Sequence, residues 1–158
     1  MSKAIKEWQD VNWTEGVELR SGPMEWGLVD ASPNTEFYWS RLKSEKRVYL
    51  RCCNECGTMQ HARRVVCQKC YGAEFTWIAS SGKGSIYTKS TIEYANDLDL
   101  KLVVPYSLGI VLLDEQVPIF TRIVTPGDLS GRKAEIGNRG VCGAQIFLGL
   151  MLPLFEVE

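Results

Sequence analysis

Four of the six cysteines in this 158-residue chain lie in two Cys-x-x-Cys pairs, a pattern that binds a metal ion through sulfur. The pairs are Cys53 with Cys56 and Cys67 with Cys70, and ten residues separate them. Two such pairs on a short hairpin form a tetrahedral site of four thiolates, which structural zinc prefers. We therefore predict one structural zinc ion, held by these four residues in a zinc ribbon.

Other uses of the cysteines are less favoured. Iron fits the same four sulfurs, because geometry and ligand softness do not separate it from zinc, and zinc is preferred on availability. Disulfides require an oxidising compartment, and Met1 to Asp10 has no apolar core of a signal peptide. A thioredoxin-like redox enzyme needs only one Cys-x-x-Cys pair, so the second pair argues against that function. Cys52 directly precedes Cys53 and could replace it, but only Cys53 has the two-residue spacing to Cys56.

Residues suited to catalysis are few. His61 is the only histidine and lies between the two cysteine pairs, where we expect a solvated loop residue rather than a ligand. Cys142 lies outside the ribbon, and no neighbour in sequence would lower its pKa, so we expect an ordinary buried or half-buried thiol. Because the sequence offers no nucleophile with a base, we predict that the chain is not an enzyme by itself.

Composition limits the classes of partner. The chain is long enough for one domain with a small appendage, and its 45% hydrophobic content supports a core. Its net charge of -1 argues against general nucleic-acid binding. No apolar run reaches the roughly 18 residues needed to span a bilayer. We therefore expect a cytoplasmic protein that does not bind a membrane.

The N-terminal part is predicted to be an arm followed by a helix. Trp8, Trp13 and Trp26 lie in an extended segment, and we expect them to pack on the body of the protein or on a partner because each carries a large apolar area. Ser32 is a suitable helix cap, and the helix is predicted from about Pro33 to Ser44.

The remainder of the chain has the patterns of β-structure. Strands are predicted at residues 48–50, 75–79, 86–94, 106–113, 119–124 and 144–152. The five strands from Phe75 onward are expected to close into a Greek-key barrel of the OB type. The predicted fold is mainly β, with the arm and helix in residues 1–47, the zinc ribbon in 48–74 and the OB-fold domain in 75–158.

Several runs of residues, taken together, resemble the DUF35 family. The resemblance covers roughly residues 36 to 157, and Arg132 to Gly143 resembles an insertion in the family pattern. The matching runs are Phe37-Tyr38-Trp39, Leu50-Arg51-Cys52-Cys53-x-x-Cys56-Gly57, Cys67-x-x-Cys70, Trp77, Ser81-Gly82-Lys83-Gly84-Ser85-Ile86-Tyr87, Pro105 through Glu115, and Ile136-Gly137.

The resemblance implies a role beside an enzyme. DUF35 proteins are small, with a rubredoxin-like zinc ribbon and an OB fold, and they accompany thiolase-like or hydratase-like enzymes of acyl-CoA metabolism. A hetero-oligomer with a thiolase-like catalytic subunit is therefore implied, with the catalytic residues on that subunit and acyl-CoA held near the barrel. Within the family, the arm and helix are most similar to the small subunits of thiolases that act on aromatic acyl-CoA.

Two groups of residues are candidates for contacts in such a complex. Basic side chains near the barrel mouth could meet the phosphates of CoA, with a solvated surface charge as the alternative for each. These candidates are Lys83, Lys89 and Arg122. Buried aromatic residues contribute much of the binding energy at protein interfaces. The aromatic candidates for the partner interface are Trp8, Trp13, Trp26, Phe37 and Trp39.

Two other functions fit parts of the pattern. A single-stranded nucleic-acid module could use Arg63, Arg64 and Lys69 beside Tyr71, although the near-neutral charge argues against it. A rubredoxin-like electron carrier would hold iron in the four-cysteine site and would be coloured.

Overall fold

The computed structural model describes residues 35–96, 101, 103–147 and 150–158. The predicted arm with its three tryptophans and the predicted helix start at Ser32 and Pro33 lie outside this range. Within it, no helix is long and apolar enough to cross a bilayer. The elements are α1 Glu36–Glu45, β1 Tyr49–Cys53, β2 Met59–Gln60, β3 Phe75–Ala79, β4 Lys83–Ile92, β5 Tyr106–Leu113, β6 Pro118–Val124, β7 Arg139–Phe147 and β8 Leu150–Val157.

Helix α1 packs one narrow face against the rest of the protein. Tyr38 and Leu42 are four residues apart, so they lie on one side of the helix, and both are buried. Arg41 and Glu45 form an ion pair on the exposed side. The helix ends before Lys46, whose φ of 55° is left-handed.

Strands β2, β1 and β3 form a small antiparallel sheet in that order. The bounds predicted for Phe75–Ala79 are confirmed. Its predicted place in the barrel is wrong, because β3 pairs with β1 through contacts such as Arg51 with Trp77. Strand periodicity shows that a segment is extended, but it does not identify the neighbouring strand. Here the second cysteine pair returns the chain to the side of β1.

The other five strands close a barrel in the order β4-β5-β6-β8-β7. Strand β4 pairs with both β5 and β7, and β6 runs parallel to β8. The predicted fold class, mainly β with a five-stranded OB-type barrel, is therefore confirmed.

The prediction for the last strand of the barrel is also wrong. The last strand, predicted at Ala144–Leu152, is two paired strands, β7 and β8, whose ladder runs to the pair Phe147 and Leu150. Residues 139–143 of the predicted insertion form the first part of β7. The sequence misled us because Gly149 is the only common turn residue inside this apolar run.

A tight turn before β4 joins three parts of the barrel. Gly82 has φ +74°, and a Cβ added there would lie 2.7 Å from the carbonyl oxygen of Cys142, so a side chain does not fit. The Cys142 N–H donates to the Gly82 carbonyl at 2.7 Å. The Glu115 carboxylate accepts hydrogen bonds from the Ser81 N–H at 2.7 Å and the Ser80 hydroxyl at 3.1 Å.

The helix, ribbon and barrel share one hydrophobic core. Tyr38 of α1, Leu50 of β1 and Ala62 of the ribbon belong to the same buried cluster as Val111 and Phe155 of the barrel. The Tyr38 ring also lies 5.3 Å, between centroids, from the ring of His61. The ribbon is thus packed onto the barrel.

Candidate metal centre

The structure gathers the four predicted cysteine sulfurs into one cluster. The Sγ atoms of Cys53, Cys56, Cys67 and Cys70 all lie within 4.8 Å of one another. Cys53 to Cys70 and Cys56 to Cys67 are each 3.5 Å apart between sulfurs. A tetrahedral zinc ion with bonds of about 2.3 Å places its sulfurs about 3.8 Å apart. The donor set therefore fits a divalent metal that prefers thiolates.

Tight backbone turns hold each pair in place. In the first turn the Gly57 N–H donates to the Cys53 carbonyl at 2.9 Å, and Gly57 has a left-handed φ of +69°. In the second, the Tyr71 N–H donates to the Cys67 carbonyl at 3.1 Å. Tyr71 takes a left-handed φ of 63°, which is uncommon for a bulky residue. Both turns curl the chain so that the two sulfurs of a pair converge.

Hydrogen-bond donors around the sulfurs favour thiolates at two positions. The Thr58 hydroxyl lies 3.1 Å from the Cys56 sulfur, and it is the largest cause that lowers the pKa of Cys56 to about 6. Backbone N–H groups of Cys70 and Lys69 lower the pKa of Cys67. A metal dication placed among the sulfurs would favour the thiolate form further.

Cys70 is different. The Gly72 N–H lowers the pKa of the Cys70 thiol, but burial and the neighbouring thiols outweigh that effect and raise it to about 12. Its sulfur also lies 3.7 Å from a carboxylate oxygen of Glu55. Without a metal, therefore, the thiols of Cys56, Cys67 and Cys70 do not ionise alike.

Two residues near the cluster are not part of it. Cys52 directs its sulfur toward the carbonyls of Gly57, at 3.6 Å, and Cys53, at 3.9 Å. His61 packs on Tyr38, and burial, followed by Arg63 and Arg64, lowers the pKa of its imidazole. His61 is a loop residue, as predicted, but it is half-buried and not fully solvated, because its ring packs on Tyr38 of α1.

Cys142 is an inert thiol inside the barrel. It is 6% exposed, and burial raises the pKa of the Cys142 thiol to about 12. The prediction of an ordinary buried thiol is confirmed.

The three basic residues predicted to bind CoA occupy different environments. Lys83 is exposed at the start of β4. The Lys89 ammonium donates to the carbonyls of Gly131, Arg132 and Ala134 at 2.9, 2.7 and 2.6 Å, so its three protons are used within the protein. These contacts bind the Lys89 ammonium to a loop of the same chain. Of the two lysines, Lys83 is therefore the exposed one that stays a candidate for binding CoA.

Arg122 is also held inside the protein. It is 6% exposed, and its Nη2 donates to the Leu129 carbonyl at 3.0 Å. Burial lowers the pKa of its guanidinium to about 10. The basic candidates therefore do not form one exposed cluster.

The aromatic candidates that the structure describes are half-buried in the protein's own fold. Phe37 stacks on Trp77 with 4.8 Å between ring centroids and meets the edge of Tyr49 at 5.5 Å. Trp39 packs on the shared core. A partner interface at Phe37 and Trp39 stays a prediction.

Sequence reasoning missed two neighbours of the sulfurs. Thr58 and Glu55 both lie within two residues of Cys56, and each reaches a cysteine sulfur in space. A hydroxyl residue just after a Cys-x-x-Cys pair was the available signal for Thr58.

Comparisons with known proteins agree with this architecture. No protein-family model matches the chain. A DUF35 domain-containing scaffold protein of Methanocaldococcus jannaschii is 34% identical over 87 residues, which are 54% of this chain and 61% of that protein. The resemblance to the DUF35 family is confirmed. This chain spans about three fifths of the length of that DUF35 relative.

Two solved structures share the DUF35 fold. The Ltp2-ChsH2(DUF35) aldolase has a chain that superposes with a TM-score of 0.67 at 22% identity, covering 80% of this chain and 95% of that one. A DUF35 protein of unknown function from Sulfolobus solfataricus superposes with a TM-score of 0.57 at 12% identity, covering 95% and 99%. At these identities the likeness concerns the fold.

Proposed function

We propose that this chain is a non-catalytic, zinc-binding accessory subunit of a thiolase-type acyl-CoA enzyme complex. The observation that carries the proposal is the cluster of four cysteine sulfurs within 4.8 Å in a DUF35 fold. Two names support it: the archaeal relative is called a scaffold protein, and one solved neighbour is part of an aldolase.

The metal has a structural role in this proposal. Between Cys53 and Phe75 the buried side chains are only Gln60, Ala62 and Cys67, so this described segment has almost no apolar core of its own. Metal binding supplies folding free energy directly to such segments. Cys53, Cys56, Cys67 and Cys70 would hold one zinc ion and fix the ribbon against β1.

The catalytic groups would come from the partner subunit. Outside the metal cluster, the thiol of Cys142 is buried with a raised pKa, and His61 packs on Tyr38, so these two residues do not form a nucleophile with its base. The substrate we favour is an aromatic acyl-CoA, as for the small subunit of benzoylsuccinyl-CoA thiolase. That choice rests on the resemblance of the arm and helix, and Lys83 stays the candidate contact for CoA.

Co-purification tests the proposal. The tagged chain is isolated from its native cell, the accompanying proteins are identified, and metals are measured. We expect about one zinc per chain and a thiolase-type partner. A chain without an enzyme partner, or one that carries nucleic acid or red iron, would contradict the proposal.

Cysteine variants make the metal assay specific. Cys53→Ser removes a sulfur from the cluster and should reduce zinc below one per chain. Cys52→Ser is the matched control, because its sulfur lies outside the cluster, and it should retain the metal.

A further inference from the structure

Glu55 places a carboxylate beside one sulfur of the candidate metal site. Its Oε2 lies 3.7 Å from the Cys70 sulfur. The Glu55 side chain is exposed, and it forms no ion pair with a lysine or arginine that the structure describes. Among the described residues, no carboxylate is hydrogen-bonded to the other three sulfurs of the cluster. The contact is therefore particular to Cys70.

The backbone at Gly72 leaves room for this carboxylate. A Cβ added at Gly72 would lie 2.5 Å from Oε1 and 2.8 Å from Oε2 of Glu55. Glycine at this position therefore lets the carboxylate lie beside Cys70, two residues earlier in the chain. An alanine there would push the carboxylate aside and leave the ribbon backbone in place, because the group in the way is the end of a flexible side chain.

The contact lies on the more exposed side of the site. Cys53 and Cys67 are each 1% exposed, whereas Cys56 and Cys70 are half-buried. A competing ligand from solvent therefore reaches a bound metal most easily past Cys56 or Cys70. The Thr58 hydroxyl stabilises the negative charge on the Cys56 sulfur. The carboxylate beside Cys70 repels such a charge, so Cys70 is the sulfur that leaves a bound zinc ion most easily.

A carboxylate oxygen is also a zinc ligand. Zinc bonds to carboxylate oxygen are about 2.0–2.2 Å long and zinc bonds to sulfur about 2.3 Å. An oxygen and a sulfur on one tetrahedral zinc ion are then about 3.6 Å apart, close to the 3.7 Å between Glu55 and Cys70. Glu55 is not part of the four-sulfur cluster, so it does not bind beside all four cysteines. It lies next to the position that Cys70 would vacate.

We infer that Glu55 is a reserve zinc ligand, which takes the place of Cys70 when that sulfur leaves the metal. In this exchange the bond between zinc and the Cys70 sulfur breaks and a bond between zinc and a Glu55 oxygen forms. Zinc stays a dication, and the released thiolate takes up a proton from solvent. The inference rests on the zinc site of the proposed function and adds a residue that retains the metal.

Zinc titration of the purified full-length chain against a competing chelator tests the inference. Cys70→Ala should still bind about one zinc per chain. Adding Glu55→Gln should weaken the zinc affinity of Cys70→Ala by more than about tenfold, the lower end of the effect of groups around a zinc site. Adding Gly72→Ala in place of Glu55→Gln should also weaken it, because alanine displaces the carboxylate without removing it.

Cys53→Ala is the matched control. The Cys53 sulfur has no described carboxylate hydrogen-bonded to it, so no reserve ligand replaces it. Cys53→Ala should therefore bind zinc more than about tenfold more weakly than Cys70→Ala. Adding Glu55→Gln to Cys53→Ala should change its zinc affinity by less than about twofold.

Circular dichroism with zinc present shows whether each variant folds. Cys70→Ser keeps the size of the side chain and repeats the comparison if Cys70→Ala does not fold. The inference is wrong, and the zinc site stands, if these Cys70 variants bind zinc no better than Cys53→Ala or remain unfolded with zinc. It is equally wrong if Glu55→Gln leaves the zinc affinity of Cys70→Ala unchanged. A wild-type chain that binds no zinc would overturn both the proposed metal site and the reserve ligand.

Discussion

Thr58 tunes the candidate metal site without being a ligand. Its hydroxyl lies 3.1 Å from the Cys56 sulfur and stabilises the thiolate. We predict that Thr58→Val weakens zinc affinity by about tenfold, the lower end of the effect of such outer contacts. Competition with a chromogenic chelator measures the change.

The control for Thr58 is another threonine in the same small sheet. Thr76 donates its hydroxyl hydrogen bond to the side chain of Asn54 and not to a sulfur of the cluster. Thr76→Val should leave zinc affinity within about twofold of wild type. An equal loss of zinc affinity in Thr58→Val and Thr76→Val would mean that the Thr58 hydroxyl acts by stabilising the small sheet and not by contacting the Cys56 sulfur.

Because of Glu156, we predict that the protein is more stable in mild acid than at neutral pH. It is 5% exposed, and neither carboxylate oxygen has a hydrogen-bond partner among the described residues. Burial raises the pKa of this carboxyl above the ordinary value of about 4.3. The native state therefore holds the proton more tightly than the unfolded state, so stability falls as pH rises from the ordinary pKa through the raised one.

Removing the Glu156 charge should abolish the decrease in stability that accompanies its deprotonation. We expect Glu156→Gln to be more stable than wild type at neutral pH and to lose the advantage below the ordinary pKa, as measured by urea unfolding across pH. Glu135→Gln, at an exposed position, should follow wild type. A Glu156→Gln curve that also follows wild type would show that the carboxylate is solvated.

At the scale of elements, one lysine side chain binds several carbonyls of the loop between β6 and β7. Lys89 of β4 donates to three carbonyls of residues 131 to 134. We predict that Lys89→Met lowers the free energy of unfolding by about 2 kcal/mol, because hydrogen bonds to a charged group are lost and carbonyls lose their donor. Urea unfolding measures the loss, and amide exchange should rise in this loop.

Lys83→Met is the matched control for that variant. Lys83 is exposed on the same strand, and its removal should change stability by less than about 0.5 kcal/mol. Similar losses of unfolding free energy in Lys89→Met and Lys83→Met would indicate a general effect of removing charge from β4 and not the loss of the Lys89 hydrogen bonds to the loop.

Element prediction succeeded where the pattern was local. The bounds of Phe75–Ala79 and Tyr106–Leu113 follow from short apolar or alternating runs between turn residues. The pairing of β7 with β8 was missed because both strands lie in one apolar run of the sequence with a single glycine. The partner of β3 was missed because strand pairing is a long-range property.

At the scale of the whole molecule, the ribbon and barrel should lose stability together when metal is removed. The buried cluster runs from Leu50 and Ala62 through Tyr38 to Phe155 without interruption. Loss of the metal would loosen the ribbon and expose part of this shared core to water. We predict that a strong chelator lowers the thermal midpoint of the entire protein.

Two probes report on the two parts. In a variant whose other four tryptophans are replaced by phenylalanine, fluorescence of Trp77 follows the ribbon sheet, and amide signals of β5 and β6 follow the barrel. We expect both to change in one transition after chelation and to recover when zinc is returned. A barrel that keeps its original midpoint while Trp77 changes would show that the two parts unfold independently.

The sequence by itself determined which four cysteines form the cluster and the extended character of most strands, because cysteine spacing and side-chain alternation are local properties. Only the tertiary structure decided that β3 belongs to the ribbon sheet, and that Lys89 and Arg122 are held by backbone carbonyls. These features depend on closing the barrel, which brings together residues far apart in sequence. Burial and hydrogen-bond partners are set at that step, so no window of the chain contains them.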